Sequence, residues 1–134
     1  MMYNIKTGWG GIRKRDNDEI VIIVSSLRGL HNRNIPFLFT DRHAYLVTAQ
    51  FYSDLARLDQ IDWQMLQRRD FRDDPDDPSK KERYQAEALV HKHLPVDTLS
   101  GLVCYNDEVF KILTAALAKR NQTMKVVKKP DWYF

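Results

Sequence analysis

Among the residues whose types and spacing could do chemistry, Gln85-Ala86-Glu87 stands first. On an extended backbone side chains alternate with period two, so Gln85 and Glu87 would project from one face into one cleft. A carboxylate placed there suits the breaking of a glycosidic bond. It stabilises positive charge developing on the sugar ring and holds the adjacent hydroxyl. The carboxamide two residues away can bind or orient an acceptor. On a helix, which Ala, Glu and Leu favour locally, the same pair would be two solvated polar groups. His91 and His93 follow at the same period and, counted from Glu87, fall on its face. Two histidines and a carboxylate could begin a metal site, but no further ligand is evident in the sequence and no metal is expected. Cys104, among Val103 and Tyr105, reads as a buried inert thiol rather than a nucleophile. Trp9-Gly10-Gly11 lacks the lysine and spacing of a phosphate-binding loop and reads as a turn.

A second group of candidates lies just before Gln85. Residues 70–79 hold Pro75, Pro78 and five aspartates, which excludes regular structure and predicts an exposed loop of the length that is often functional. Arg72, Lys80, Lys81 and Arg83 offer phosphate contacts, and Phe71 and Tyr84 offer stacking surfaces. Asp70, Asp73, Asp74, Asp76, Asp77 and Glu82 oppose them, so the local balance is not basic. If the loop reads nucleic acid, the 80–84 end is the side to expect. Lys125, Lys128 and Lys129 beside Trp132 and Tyr133 are a weaker set, more simply a packed terminal strand with solvated lysines.

The elements that must position these residues read as an α+β mixture. Residues 20–24 form an unbroken β-branched run suited to a strand buried on both faces, and Phe37-Leu38-Phe39-Thr40 suits a second strand after Pro36. Ala44, Val47, Phe51, Leu55 and Leu58 recur at three- and four-residue steps and predict one long helix, capped by Thr40 or Asp41. A short helix is expected from Asp62, and Ser79-Lys80-Lys81-Glu82 has the pattern of a capping box. Residues 101–105 read as a strand. Asn106 should cap a helix with Asp107 and Glu108 in its first turn, Lys119 and Arg120 near its end, and Val109, Leu113, Ala116 and Leu117 buried. Residues 123–127 read as a last strand.

The chain has 134 residues, enough for one compact domain, with 43% hydrophobic residues and a formal charge of +3. Such a composition argues against disorder and is only mildly basic. One cysteine rules out an internal disulfide and fits a reducing compartment. No apolar run reaches the length of a membrane span and the N-terminus lacks a signal pattern, so a soluble cytoplasmic protein is expected.

Several strings together resemble a known family. Phe39-Thr40-Asp41-Arg42-His43-Ala44, then Phe51-Tyr52-Ser53-Asp54-Leu55 and Ile61-Asp62-Trp63, followed by 83–91 and the closing Pro130-Asp131-Trp132-Tyr133-Phe134, are similar in order to DarT, the NAD-dependent ADP-ribosyltransferase toxins that modify single-stranded DNA. The resemblance implies a split β-sheet ADP-ribosyltransferase core over 1–134. Within it, Gln85-x-Glu87 becomes that group's Gln/Glu-x-Glu motif, with Glu87 as the catalytic residue holding the nicotinamide ribose. It makes 70–84 the substrate-recognition loop, with Lys80, Lys81, Arg83, Tyr84 and Gln85 near a thymidine or guanosine acceptor. NAD is then the co-substrate and a macrodomain antitoxin the partner. The family's earlier segment, which grips the adenosine and pyrophosphate of NAD, has no counterpart here, and 1–8 looks like the tail of its helix. Two consequences are expected: an exposed apolar sheet face, and, as the rival to an enzyme, a truncated relative that only binds single-stranded nucleic acid or the antitoxin.

Overall fold

The computed structural model describes residues 2–133, so Phe134 of the closing motif lies outside the described residues. In chain order the elements are α1 (Met2–Thr7), β1 (Ile22–Ser25), α2 (Leu27–Asn32), β2 (Phe37–Thr40), β3 (Phe51–Tyr52) and α3 (Trp63–Arg68). There follow α4 (Lys80–Arg83), β4 (Ala88–Val90), β5 (Leu99–Cys104), α5 (Asp107–Lys119) and β6 (Lys125–Lys128). The elements separate into two compact units, Met1–Ser26 with Pro95–Phe134, and Leu27–Leu94.

The first unit is built on a three-stranded sheet in the order β1-β5-β6, with β1 antiparallel and β6 parallel to the central β5. Gly101, Val103 and Cys104 of β5 are buried, as the central position demands. β1 lies at the edge, and Ile23 is exposed rather than covered on both faces as its β-branched run predicted. A parallel neighbour needs a crossover, and α5 supplies it between β5 and β6. Asn106 caps α5 as expected, its side-chain oxygen accepting from the Val109 N–H at 2.9 Å. The buried Tyr133 closes the unit, its hydroxyl donating towards the Val103 and Ile20 carbonyls at 2.8 and 3.0 Å.

At Gly101 the strands β5 and β6 approach too closely for any side chain. A Cβ there would lie 2.7 Å from the Lys125 carbonyl oxygen, closer than real Cβ atoms come to any neighbour. Both atoms belong to paired backbones, so relief must come from opening β5 against β6. Gly101→Ala is expected to destabilise the protein by about 1–3 kcal/mol, the usual range for overpacking, read as a lowered thermal midpoint. An unchanged midpoint would show that the two strands can separate freely.

The second unit holds an antiparallel sheet in the order β3-β2-β4. Leu30, Phe37, Phe39 and Ile61 form its buried core, with Leu55, Leu58, Leu66 and Val90 packed against them. Here the long helix expected from residue 41 does not form. The Asp41 carboxylate accepts from the Gln50 N–H at 2.9 Å, so the chain doubles back in turns and returns as β3 beside β2. A short side chain that captures backbone N–H groups competes with helix, and Phe51 and Tyr52 prefer a pleated surface. Only Leu55 and Leu58 of the predicted stripe are helical, in a 3-10 turn over Leu55–Gln60 that Asp54 caps. Asp62 caps α3 as expected, accepting from the Met65 N–H.

Candidate active site around Glu87

The next residues along the β2–β4 pairing, which registers Phe39 with Ala88, are Thr40 and Glu87. The Thr40 N–H donates to the Glu87 carbonyl at 2.9 Å, and the Glu87 N–H donates to the Thr40 hydroxyl oxygen at 3.2 Å. That hydroxyl is fully buried and itself donates to the Arg42 carbonyl at 2.5 Å. One threonine therefore fixes both the backbone carrying the carboxylate and the turn that faces it.

The turn supplies the partners of the side chain. Glu87 Oε1 accepts from the Ala44 N–H at 2.7 Å and lies 2.9 Å from His43 Nδ1. The Tyr45 N–H lies 3.4 Å from the same His43 nitrogen. One nitrogen cannot donate to the carboxylate and accept from an amide together, and the shorter contact places the proton towards Glu87. Both bonds fall on Oε1, leaving Oε2 without a protein partner among the described residues. The side chain is 35% exposed, so a ligand can reach that oxygen. Behind it, Arg42 binds Asp41 at 3.1 Å and Glu82 at 3.1 Å, tying the turn to α4. Burial would raise the Asp41 carboxyl. The Gln50 N–H and the Arg42 guanidinium outweigh it and hold the group below the ordinary range.

Gln85 does not join this arrangement. Residues 85–87 are not strand, and the Gln85 and Ala86 N–H groups continue the α4 turn by donating to the Glu82 and Arg83 carbonyls. The Gln85 amide donates to the Lys81 carbonyl at 3.2 Å, and period two does not carry it to the Glu87 side. Nor does Ser79 form a capping box. Its hydroxyl donates to Asp77 at 3.0 Å and accepts from Arg83 at 2.6 Å, while a true capping box forms between Asp16 and Glu19.

The cations of the 70–84 segment are paired with aspartates, nearly all of them its own. Asp70 binds Arg72 at 2.7 Å and Lys80 at 3.2 Å, and these two hold its carboxyl well below the usual range. Arg83 binds Asp77 at 2.6 Å and Asp62 at 3.4 Å, and Lys81 pairs with Asp73. Tyr84 is committed too, its hydroxyl donating to the Met65 carbonyl at 2.7 Å and its ring lying 4.7 Å from that of Phe71. The result is a polar cleft of about 310 Å³ lined by Asp62, Arg68, Asp77, Lys80, Arg83 and Tyr84 among others.

The remaining candidates lie elsewhere. His91 and His93 are exposed beyond the end of β4, and among the described residues no cluster could hold a metal ion. Cys104 is buried, and burial pushes its thiol up. Lys128 pairs with Asp107 at 2.7 Å, while Val24, Leu102, Val127 and Trp132 line an apolar groove of about 250 Å³. Thr40 and His43 belong to the string that carries the family resemblance, but nothing near them in the sequence assigns either a role at the carboxylate. Their spacing of 47 and 44 residues from Glu87 leaves no local signal.

Comparison with known proteins agrees on one group. The family described as "ssDNA thymidine ADP-ribosyltransferase, DarT" matches residues 1–134. A DNA ADP-ribosyl transferase of Escherichia coli O127:H6 is 53% identical over 134 residues, covering 100% of this chain and 62% of that protein. One from Thermus sp. strain 2.9 is 35% identical over 121 residues, covering 87% of this chain and 56% of that protein. Thermus sp. 2.9 DarT in complex with NAD+ superposes with a TM-score of 0.85 at 30% identity, over 99% of this chain and 66% of that one. Its complex with ADP-ribosylated ssDNA gives a TM-score of 0.88 at 29% identity, over 99% and 63%. The chain thus spans about three fifths of the length of these two curated relatives.

Proposed function

Because the chain belongs to the DarT family, we propose that it transfers ADP-ribose from NAD to a thymidine base in single-stranded DNA, with Glu87 as the catalytic carboxylate. The observation that carries this reading is the geometry of that side chain. Oε1 is locked by the Ala44 N–H and His43, and Oε2 is open to accept a hydroxyl of the nicotinamide ribose. A fixed negative charge there stabilises the cationic sugar as the bond to nicotinamide breaks and its electron pair leaves with the ring. The acceptor base then bonds to the same carbon and gives its ring proton to solvent water. NAD supplies the sugar and the leaving group. This chain's residues orient the ribose, and the two units together make up one transferase domain, in keeping with a family match over 1–134.

The cytoplasm is the compartment proposed, with a macrodomain antitoxin as the partner that removes the modification. In keeping with that, no helix among the described residues is long and apolar enough to cross a membrane. Transfer of label from adenine-labelled NAD to single-stranded oligonucleotides tests the reading. Label on single strands and not on duplexes is expected; no label on either would sink it. The alternative is a module that binds single strands without catalysis. That reading predicts binding that ignores both NAD and Glu87→Gln.

If the 70–84 loop contacts DNA, phosphates must displace aspartates from Lys81 and Arg83. Asp73→Asn releases Lys81 from its ion pair, and Asp77→Asn leaves Arg83 with Asp62 at 3.4 Å as its one remaining carboxylate. Each is expected to tighten single-strand binding several-fold at low salt and to steepen the salt slope by about 0.7. Unchanged slopes in anisotropy titrations would place the strand elsewhere.

A further inference from the structure

The turn region 41–50 does more than hold Glu87, because its exposure alternates. Ala44 and Leu46 are half-buried and Ala49 is buried, whereas His43 is exposed, Tyr45 is 90% exposed and Val47 fully so. A loose loop would not keep such a pattern, but this one is tied at both ends and within. The Gln50 N–H donates to Asp41 at 2.9 Å, Leu46 N–H to the His43 carbonyl at 3.0 Å, and Ala49 N–H to the Leu46 carbonyl at 3.0 Å. The first member of the exposed stripe, His43, touches the Glu87 carboxylate. The next, Tyr45, has its ring centroid 6.5 Å from that of His43. An aromatic ring and, two residues on, an aliphatic side chain are therefore held out in water on the same pinned segment that touches the carboxylate. Exposed apolar groups on a pinned segment beside an accessible carboxylate suit contact with a ligand that is flat and partly apolar.

We propose that Tyr45 and Val47 form the platform for the acceptor base, the Tyr45 ring stacking on the pyrimidine and the Val47 methyls meeting its 5-methyl group. The assignment rests on the reading of Glu87 given above and deepens it by naming what recognises the acceptor. Stacking on tyrosine suits any base and explains affinity without sequence. Contact between an aliphatic side chain and the 5-methyl is the apolar feature that marks thymine among bases. A nicotinamide ring fits the place less well, because it carries no methyl group to meet Val47 and Tyr45 lies on the solvent side, where a polymer can thread past.

The test uses the full chain carrying Glu87→Gln, so that nothing is turned over, and measures binding by anisotropy. The probes are a single-stranded oligonucleotide with one thymidine and its counterparts with uracil or an abasic site at that position. The parent should prefer thymidine over the abasic site. Tyr45→Ala should lose that preference, a fall of roughly tenfold in affinity for the thymidine probe, and Tyr45→Phe should keep it. Val47→Ala should erase the smaller preference for thymidine over uracil. NAD binding, measured separately, should not change with either. Equal thymidine preference in the parent and in Tyr45→Ala overturns the proposal, as does a loss confined to NAD. A parent that binds no single strand at all overturns the functional reading itself, an outcome separable from the other two.

Discussion

Glu87→Gln is expected to lower ADP-ribose transfer by about 100- to 1,000-fold, the range seen when a preorganised electrostatic group is removed from a transition state. The substitution is close to isosteric, and the glutamine oxygen can still accept from the Ala44 N–H and from His43 as Glu87 Oε1 does. The turn should therefore stay in place and the thermal midpoint should hold. What disappears is the charge, and charge is what the developing sugar cation needs. Glu87→Ala is a poorer test, because it leaves the Ala44 N–H without its partner and mixes a structural loss with a chemical one. Initial rates on a thymidine oligonucleotide at saturating NAD, beside melting curves, give the answer. Retained transfer by a folded Glu87→Gln protein would remove Glu87 from the chemistry.

Thr40→Val is expected to lower both stability and transfer. Valine matches threonine in shape but cannot serve the Glu87 N–H at 3.2 Å or donate to the Arg42 carbonyl at 2.5 Å. Thr40 is fully buried, so water cannot replace it, and leaving these groups unpaired costs about 1–3 kcal/mol. Of its bonds to Thr40, the Glu87 backbone then keeps only the one from the Thr40 N–H. Displacement of a catalytic group by about 1 Å costs on the order of 100-fold in rate. Thr40→Ser keeps the hydroxyl and should recover most of both losses. If Thr40→Val melts with the parent and transfers at its rate, the hydroxyl is not what sets the carboxylate.

How far the sequence revealed this protein depended on whether each choice was local. Phe37–Thr40 appeared as a strand at its observed bounds, and Asn106 announced α5, because a β-branched or aromatic run and a cap are decided by near neighbours. The helix expected from Ala44 to Leu58 failed because one carboxylate, Asp41, captured an N–H nine residues on. Ser79 failed as a cap because Asp77 and Arg83 competed for its hydroxyl. Glu87 could be singled out from its motif and the family resemblance. Its partners could not, since Thr40, His43 and Ala44 reach it only through the β2–β4 pairing and the turn that follows. The loop's cations were visible as residues but not as pairs. Arg83 finds Asp77 six positions away and Lys80 finds Asp70 ten away, with no period to reveal either.

The most direct test of the central claim is the intact mass of a single-stranded thymidine oligonucleotide after incubation with this chain and NAD. An ADP-ribose adduct that is missing when thymidine is replaced, and missing again with Glu87→Gln, is the predicted result. An oligonucleotide of unchanged mass, from a chain shown to be folded and to bind the strand, would contradict it.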